Sequence, residues 1–145
     1  MRLPHHSIIL VADAARMLLL RNEGSAIHAD LRVLEHRHCE SVPNREIASD
    51  APGVVFESAN PASSTYDERD PRTDHEILFL RSAAEALETR AKAATGAIVV
   101  AAAPAALGRL RQLYGRATRE KLLAEIDHDY TRMPVEVIAS TLLAR

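Results

Sequence analysis

The chain has 145 residues, 47% of them hydrophobic and 26% charged, with a net charge of −2. That length suits one domain, 1–145, with an aliphatic core, because Trp is absent and only two Phe and three Tyr are present. The balance excludes a disordered chain and a protein that coats nucleic acid through bulk charge, though not a local basic patch, and a single cysteine, Cys39, excludes an internal disulfide.

Residues 7–12 (SIILVA) form a short apolar run that reads as a buried strand or a helix fragment. Asp13-Ala14-Ala15 breaks it, residues 17–20 resume with aliphatics, and Asn22-Glu23-Gly24-Ser25 is a turn signal. Asp13 and Arg16 also interrupt the apolar stretch 8–20, so neither a signal peptide nor a membrane span is expected. The expected location is the cytoplasm, with no insertion into a membrane. His5 and His6 are expected to be mobile. Residues 29–38 alternate in polarity, which predicts a third, half-exposed strand with His36 and His38 on the face of Leu34. Short turns make these three strands antiparallel neighbours.

Residues 40–73 contain four prolines and many Ser, Asn and Asp, so long regular structure is not expected there. Val54-Val55-Phe56 is the expected anchor, and 57–72 is expected to be exposed and mobile. Thr73 and Glu76 have the spacing of a capping box. Ile77, Leu80, Ala84, Leu87, Ala91 and Ala94 then recur at helical spacing, and Gly96 is the expected left-handed terminator. Residues 97–103 (AIVVAAA) read as a central strand buried on both faces. Pro104 opens a short helix with Leu107, Leu110, Leu113 and Tyr114 on one face, closed by Gly115. Leu122–Ile126 fits a helix by propensity and a buried strand by topology. Pro134 suits a first helical position, and Val135, Ile138, Leu142 and Leu143 give the last helix its apolar face.

This order predicts an α/β protein: one ribonuclease H-like domain whose mixed sheet has three antiparallel N-terminal strands, followed by helix-strand-helix-strand-helix. The segments ILVADAARMLLL, REIASDAPGVVFES, AAAPAALGRLRQLYG and LLAEIDHDYTRMPVEVI together resemble the bacterial host attachment protein family. That family is similar in turn to the middle domain of archaeo-eukaryotic peptide release factors. The resemblance implies a ribonuclease H-like fold, makes Leu122–Ile126 a strand, and implies RNA or a ribosomal surface as partner. Release factors carry a Gly-Gly-Gln loop. Here there is no Gly-Gly pair, and the only glutamine is Gln112 in an expected helix.

No residue is assigned a catalytic role, and neither a metal nor a cofactor is expected. Asp13 with Glu76, Glu85 and Glu88 offers carboxylates of the kind that two-metal nucleases use, but the strand at 97–103 supplies none, so Asp13 reads better as a turn cap. His36, His38 and Cys39 lack a second ligand pair for a metal site. No Gly-x-Ser-x-Gly elbow or phosphate-binding glycine loop is present, so a hydrolase, either a peptidyl-tRNA hydrolase or a metal-dependent nuclease, is an alternative without a motif. A protein-interaction module in cell attachment is the other alternative. The usable feature is basic: Arg109, Arg111, Arg116, Arg119 and Lys121 against the single acid Glu120. These five are the candidate RNA phosphate contacts, with Tyr114 as a candidate stacking ring.

Overall fold

The computed structural model describes residues 1–39 and 71–145. The elements are β1 (Ile8–Ala12), β2 (Arg16–Asn22), β3 (Leu31–His38), α1 (Pro71–Ala93), β4 (Ile98–Ala102), α2 (Pro104–Leu113), α3 (Arg116–Lys121), β5 (Leu122–Ile126) and α4 (Val135–Leu143). The five strands form one mixed sheet in the order β3-β2-β1-β4-β5. β2 is antiparallel to both β1 and β3, whereas β1–β4 and β4–β5 are parallel.

The centre of the sheet follows directly from sequence. β1 (IILVA) and β4 (IVVAA) are buried at every position, so neither face of either strand meets water. Ile8, Leu10, Ile98 and Val100 face one apolar cluster, and Ile9, Val11 and Val99 face the other. Each fully buried aliphatic side chain contributes about 1.5–3 kcal/mol relative to exposure, so this double-sided strip dominates the stability of the domain. Leu80, Ala84, Leu87 and Ala91 of α1 and Leu107 and Leu110 of α2 cover the first face. Ile138 and Leu142 of α4, with Leu3 and Tyr130, cover the second.

A buried asparagine sets the end of β2. Asn22 has no exposed surface. Its amide nitrogen donates to the carbonyls of Leu3 (2.7 Å) and Ser25 (3.1 Å), and its oxygen accepts from the amides of Gly24 (2.8 Å) and Asp30 (2.9 Å). One side chain therefore closes the β2–β3 turn and ties the N-terminal segment to it. Burial without those partners would cost about 1–3 kcal/mol for each polar group left unsatisfied. His5 is part of the same corner: its Nδ1 donates to the Gly24 carbonyl at 2.8 Å, and its ring stacks on His6 at 3.8 Å. The pair thus packs into this corner of the fold.

Several local expectations are corrected. α1 starts at Pro71, two residues before Thr73, so Thr73 and Glu76 lie inside the first turns and do not form a capping box. Proline suits a helix start because its fixed φ is already helical and its missing N–H is not needed there. Residues 71–73 are thus helical, and the rest of the expected 40–73 connection, with 57–70 and the Val54–Phe56 anchor, lies outside the described residues. In β3, a bulge sets Leu19 opposite Glu35 but Leu20 opposite Val33. The extra residue turns Leu34 into the α1-side cluster, away from the face of His36, which lies opposite Leu18. β5 is a strand, but it sits at the sheet edge with only Ile126 buried, so it is not the buried strand expected. Pro134 occupies the N-cap of α4, one residue before its first turn.

Gly96 is also not what its position suggested. No described glycine has positive φ, so a left-handed cap is not the reason for it. A Cβ there would lie 2.6 Å from the Ser7 nitrogen and 2.7 Å from the His6 carbonyl carbon. The approach to β4 passes so close to the approach to β1 that only hydrogen fits. At Gly108, inside α2, an added Cβ would meet nothing within 4 Å. The same substitution should therefore have opposite effects at these two sites. Gly96→Ala should destabilise by about 1–3 kcal/mol through backbone overlap, and Gly108→Ala should stabilise by about 0.5–1 kcal/mol through helix propensity. Denaturant unfolding of both variants checks this.

Candidate nucleic-acid interface

Charge is unevenly distributed. Residues 81–121 hold eight Lys or Arg and three acids, in a chain whose net charge is −2. This span contains most of α1 and all of α2 and α3, and α1 contacts both of the others on one side of the sheet. Counted over their full lengths, α1, α2 and α3 hold nine Lys or Arg and five Asp or Glu, so the helical layer carries a net positive charge, all of it from α2 and α3.

α3 is only six residues long, and its N-cap is Gly115, which offers no side-chain cap. Glu88 of α1 takes that role from 30 residues away in sequence. Its carboxylate accepts from the amides of Ala117 (3.1 Å) and Thr118 (2.9 Å) and from the Thr118 hydroxyl (2.9 Å). These are the orphan donors that an ordinary N-cap residue would satisfy. A Cβ on residue 115 would lie 2.3 Å from the Glu88 carboxyl carbon, so glycine is what admits the carboxylate. Burial works against ionisation of Glu88, but the Thr118 and Ala117 amides, the Thr118 hydroxyl and nearby Lys92 outweigh it and hold its pKa below the ordinary value.

The other end of α3 returns the contact. Lys121 Nζ donates to the Ala91 and Ala94 carbonyls, each at 2.6 Å, and so caps the C-terminus of α1. Arg119 does the same for α2, donating from Nε to the Tyr114 carbonyl (3.2 Å) and from Nη2 to the Arg111 carbonyl (3.3 Å). Cations placed there also complement the negative end of each helix dipole.

The five basic residues singled out in sequence thus divide. Lys121 and Arg119 hold helix ends. Arg111 is exposed and pairs through Nε with Glu125 Oε1 of β5 at 3.0 Å. Arg116 has a side chain 90% exposed, and its partner is Glu120, one turn along, at 3.2 Å. Arg109 is half-buried and makes no ion pair or side-chain hydrogen bond to any described residue. Tyr114 is buried, and its hydroxyl donates to Glu125 Oε2 at 2.7 Å. Burial first, and then the hydrogen bond and charge of Glu125, push its pKa far up, against the pull of Arg111 and Arg119. The ring is core and is not free to stack on a base.

The candidate carboxylates are otherwise engaged. Asp13 Oδ1 accepts from the Ala15 and Arg16 amides at 2.7 Å each, and Oδ2 accepts from the Thr131 hydroxyl at 3.1 Å. It closes the β1–β2 turn and fastens the segment after β5 to it. Glu88 is committed to α3. Among the described residues no three His, Cys, Asp or Glu side chains come together to hold a metal ion, and no helix is long and apolar enough to cross a membrane. Sequence reading missed the structural use of Glu88 and Lys121; the one available signal was a glycine where α3 needed a cap.

The depressed carboxyl of Glu88 has a pH consequence. Its contribution to stability is fully present above the ordinary glutamate value of 4.5 and is lost as pH falls through its lower folded value. Glu88→Gln should therefore cost about 1 kcal/mol at pH 7, the usual worth of a helix cap. The difference from the parent protein should shrink below pH 4.5. Urea unfolding at pH 7 and at acid pH measures it.

The family model described as "Protein required for attachment to host cells" matches residues 8–142. No curated protein matches the chain. The matched span runs from the first residue of β1 to within one residue of the end of α4, and so takes in every strand of the sheet and the whole basic helical layer. The chain belongs to the family of proteins required for attachment to host cells.

Proposed function

We propose that this protein is a cytoplasmic RNA- or ribosome-associated binding domain, ribonuclease H-like in fold and related to the middle domain of release factors. The strand order β3-β2-β1-β4-β5, with β2 alone reversed, supports the fold reading. The observation that carries the binding reading is the uneven charge: an excess of cations on α2 and α3 in an acidic chain, with the ends of α3 held to α1 through Glu88 and Lys121. Phosphate groups are the complement of such a surface. Arg109, Arg111 and Arg116 contact the phosphates, while Arg119 and Lys121 add to the field from the helix ends. Peptide release is not part of this reading, because no Gly-Gly pair exists and Gln112 lies within α2.

Co-sedimentation with ribosomes tests it: the protein should pellet with them at low salt and leave at high salt. Arg109→Ala and Arg116→Ala should each weaken binding and lower the log-log salt slope by about 0.7–0.9, with little dependence on RNA sequence. Arg111→Ala should weaken it further, because it also strips Glu125 of its ion pair and leaves a negative charge at the surface. Binding that ignores both salt and these substitutions would favour a protein-interaction module instead.

A further inference from the structure

A small pocket that no residue of α2 or α3 lines lies where α1 ends over the sheet. We infer that it binds a single phosphate group, carried by inorganic phosphate or by a small phosphate monoester.

Strand register builds the pocket. Ile8 of β1 pairs with Arg21 of β2, and residues paired in this way share a face of the sheet. Ile8 and Leu34 belong to the cluster on the α1 side, so Arg21 stands on that side too. α1 stops at Ala93, and its last turn supplies Arg90. Arg21, Arg90, His6 and Thr95 border one cavity of about 150 Å³, with Ile8 and Leu34 as its apolar lining. None of the lining residues is acidic. Pockets for drug-sized ligands run to about 300–1,000 Å³, so this one suits a single anionic group.

The donors match phosphate. Guanidinium forks fit phosphate oxygens in pairs, and a hydroxyl and an imidazole add further donors. Arg21 gives only its Nε to Glu23 Oε1, at 2.8 Å, and its terminal nitrogens are not spent on that bond. Glu23 also lies 3.6 Å from His6 Nε2. It tempers the charge of Arg21 and His6, which makes Arg90 the principal cation of the site. The apolar lining lowers the local dielectric and strengthens each charged contact. The negative end of α1 would oppose an anion here. Lys121 offsets it, because its Nζ donates to the Ala91 and Ala94 carbonyls.

The pocket is assembled in advance. Among the described residues His6 alone, glycine aside, has a positive φ, at 68°. Such conformations persist where their surroundings impose them, and they concentrate at ligand clamps and active sites. The His6 N–H donates to the Asn22 carbonyl at 2.7 Å. Gly96 admits the Ser7 nitrogen 2.6 Å from where a Cβ would stand. That close approach sets Thr95 beside His6, with Oγ1 3.4 Å from Nδ1. Donors from three separate segments therefore meet before any ligand arrives.

Isothermal titration calorimetry on the full chain tests this with inorganic phosphate and with methyl phosphate, at an ionic strength held constant with chloride. Inorganic phosphate should bind at one site. Arg90→Ala should weaken it at least about tenfold, the usual worth of a charge-assisted hydrogen bond. Thr95→Val should weaken it about two- to tenfold. Arg90 is half-buried and Thr95 exposed, so both variants keep the core, and denaturant unfolding verifies it. Arg116→Ala, on α3, should leave phosphate affinity unchanged. Methyl phosphate binding as tightly as phosphate would identify a monoester as the ligand, and its rejection would identify free phosphate. Heat no greater than that of chloride injections, or binding that both Arg90→Ala and Thr95→Val leave unchanged, would overturn the inference.

Discussion

The reciprocal capping between α1 and α3 is the constraint on which the helical side of this domain depends. A six-residue helix cannot persist alone, because nucleation fixes several dihedral angles for each hydrogen bond gained. α3 persists because Glu88 satisfies its first amides and Lys121 anchors its last residue to the end of α1. The consequence extends into the sheet. α3 ends at Lys121 and β5 begins at Leu122, with no loop between them. Fixing α3 therefore also fixes where the edge strand enters. One acid on α1 and one lysine on α3 thus couple the helical layer to the order of the strands.

The same contacts decide which positive charges face outward. Arg119 and Lys121 sit at helix C-termini, where backbone carbonyls partly neutralise them. Arg111 shares Glu125 with the Tyr114 hydroxyl. Arg116 is almost wholly exposed beside Glu120, Arg109 is half-buried, and on α1 Arg81 and Lys92 are exposed and Arg90 half-buried. A cluster of five in sequence thus becomes a sparser and wider pattern in space. A count of charges along the chain overstates the local density and understates the extent of the surface.

The central strands were legible because their environment is simple. A strand buried on both faces has no polar position, and IILVA and IVVAA announce this without reference to neighbours. The amphipathic face of α1 was legible for a similar reason, since Leu80, Ala84, Leu87 and Ala91 recur at the helical period. Leu122–Ile126 was not. Its LLAEI sequence suits a helix, and it became a strand because β4 offers a free parallel edge beside it. The β3 bulge was invisible as well, since one extra residue reverses the inward and outward sense of the alternation without altering composition. Of the candidate site, the basic residues and the helix that carries Arg109 and Arg111 were legible, but the separate helix Arg116–Lys121 and the division into capping and exposed groups were not.

By itself the sequence determined the apolar strips, the order of the elements apart from α3, and the excess of positive charge in residues 81–121. Each of these depends on residue type and near-neighbour spacing, which a linear string records. Only the tertiary structure decided why Gly96 must be glycine, what Gly115 leaves room for, where Asn22 spends its hydrogen bonds, and what Glu88 and Lys121 hold. These contacts join residues far apart in the chain, Gly96 to Ser7 and Glu88 to Thr118. Close approach in space leaves no local pattern to read, because its partners meet only after the sheet has set the distance between them.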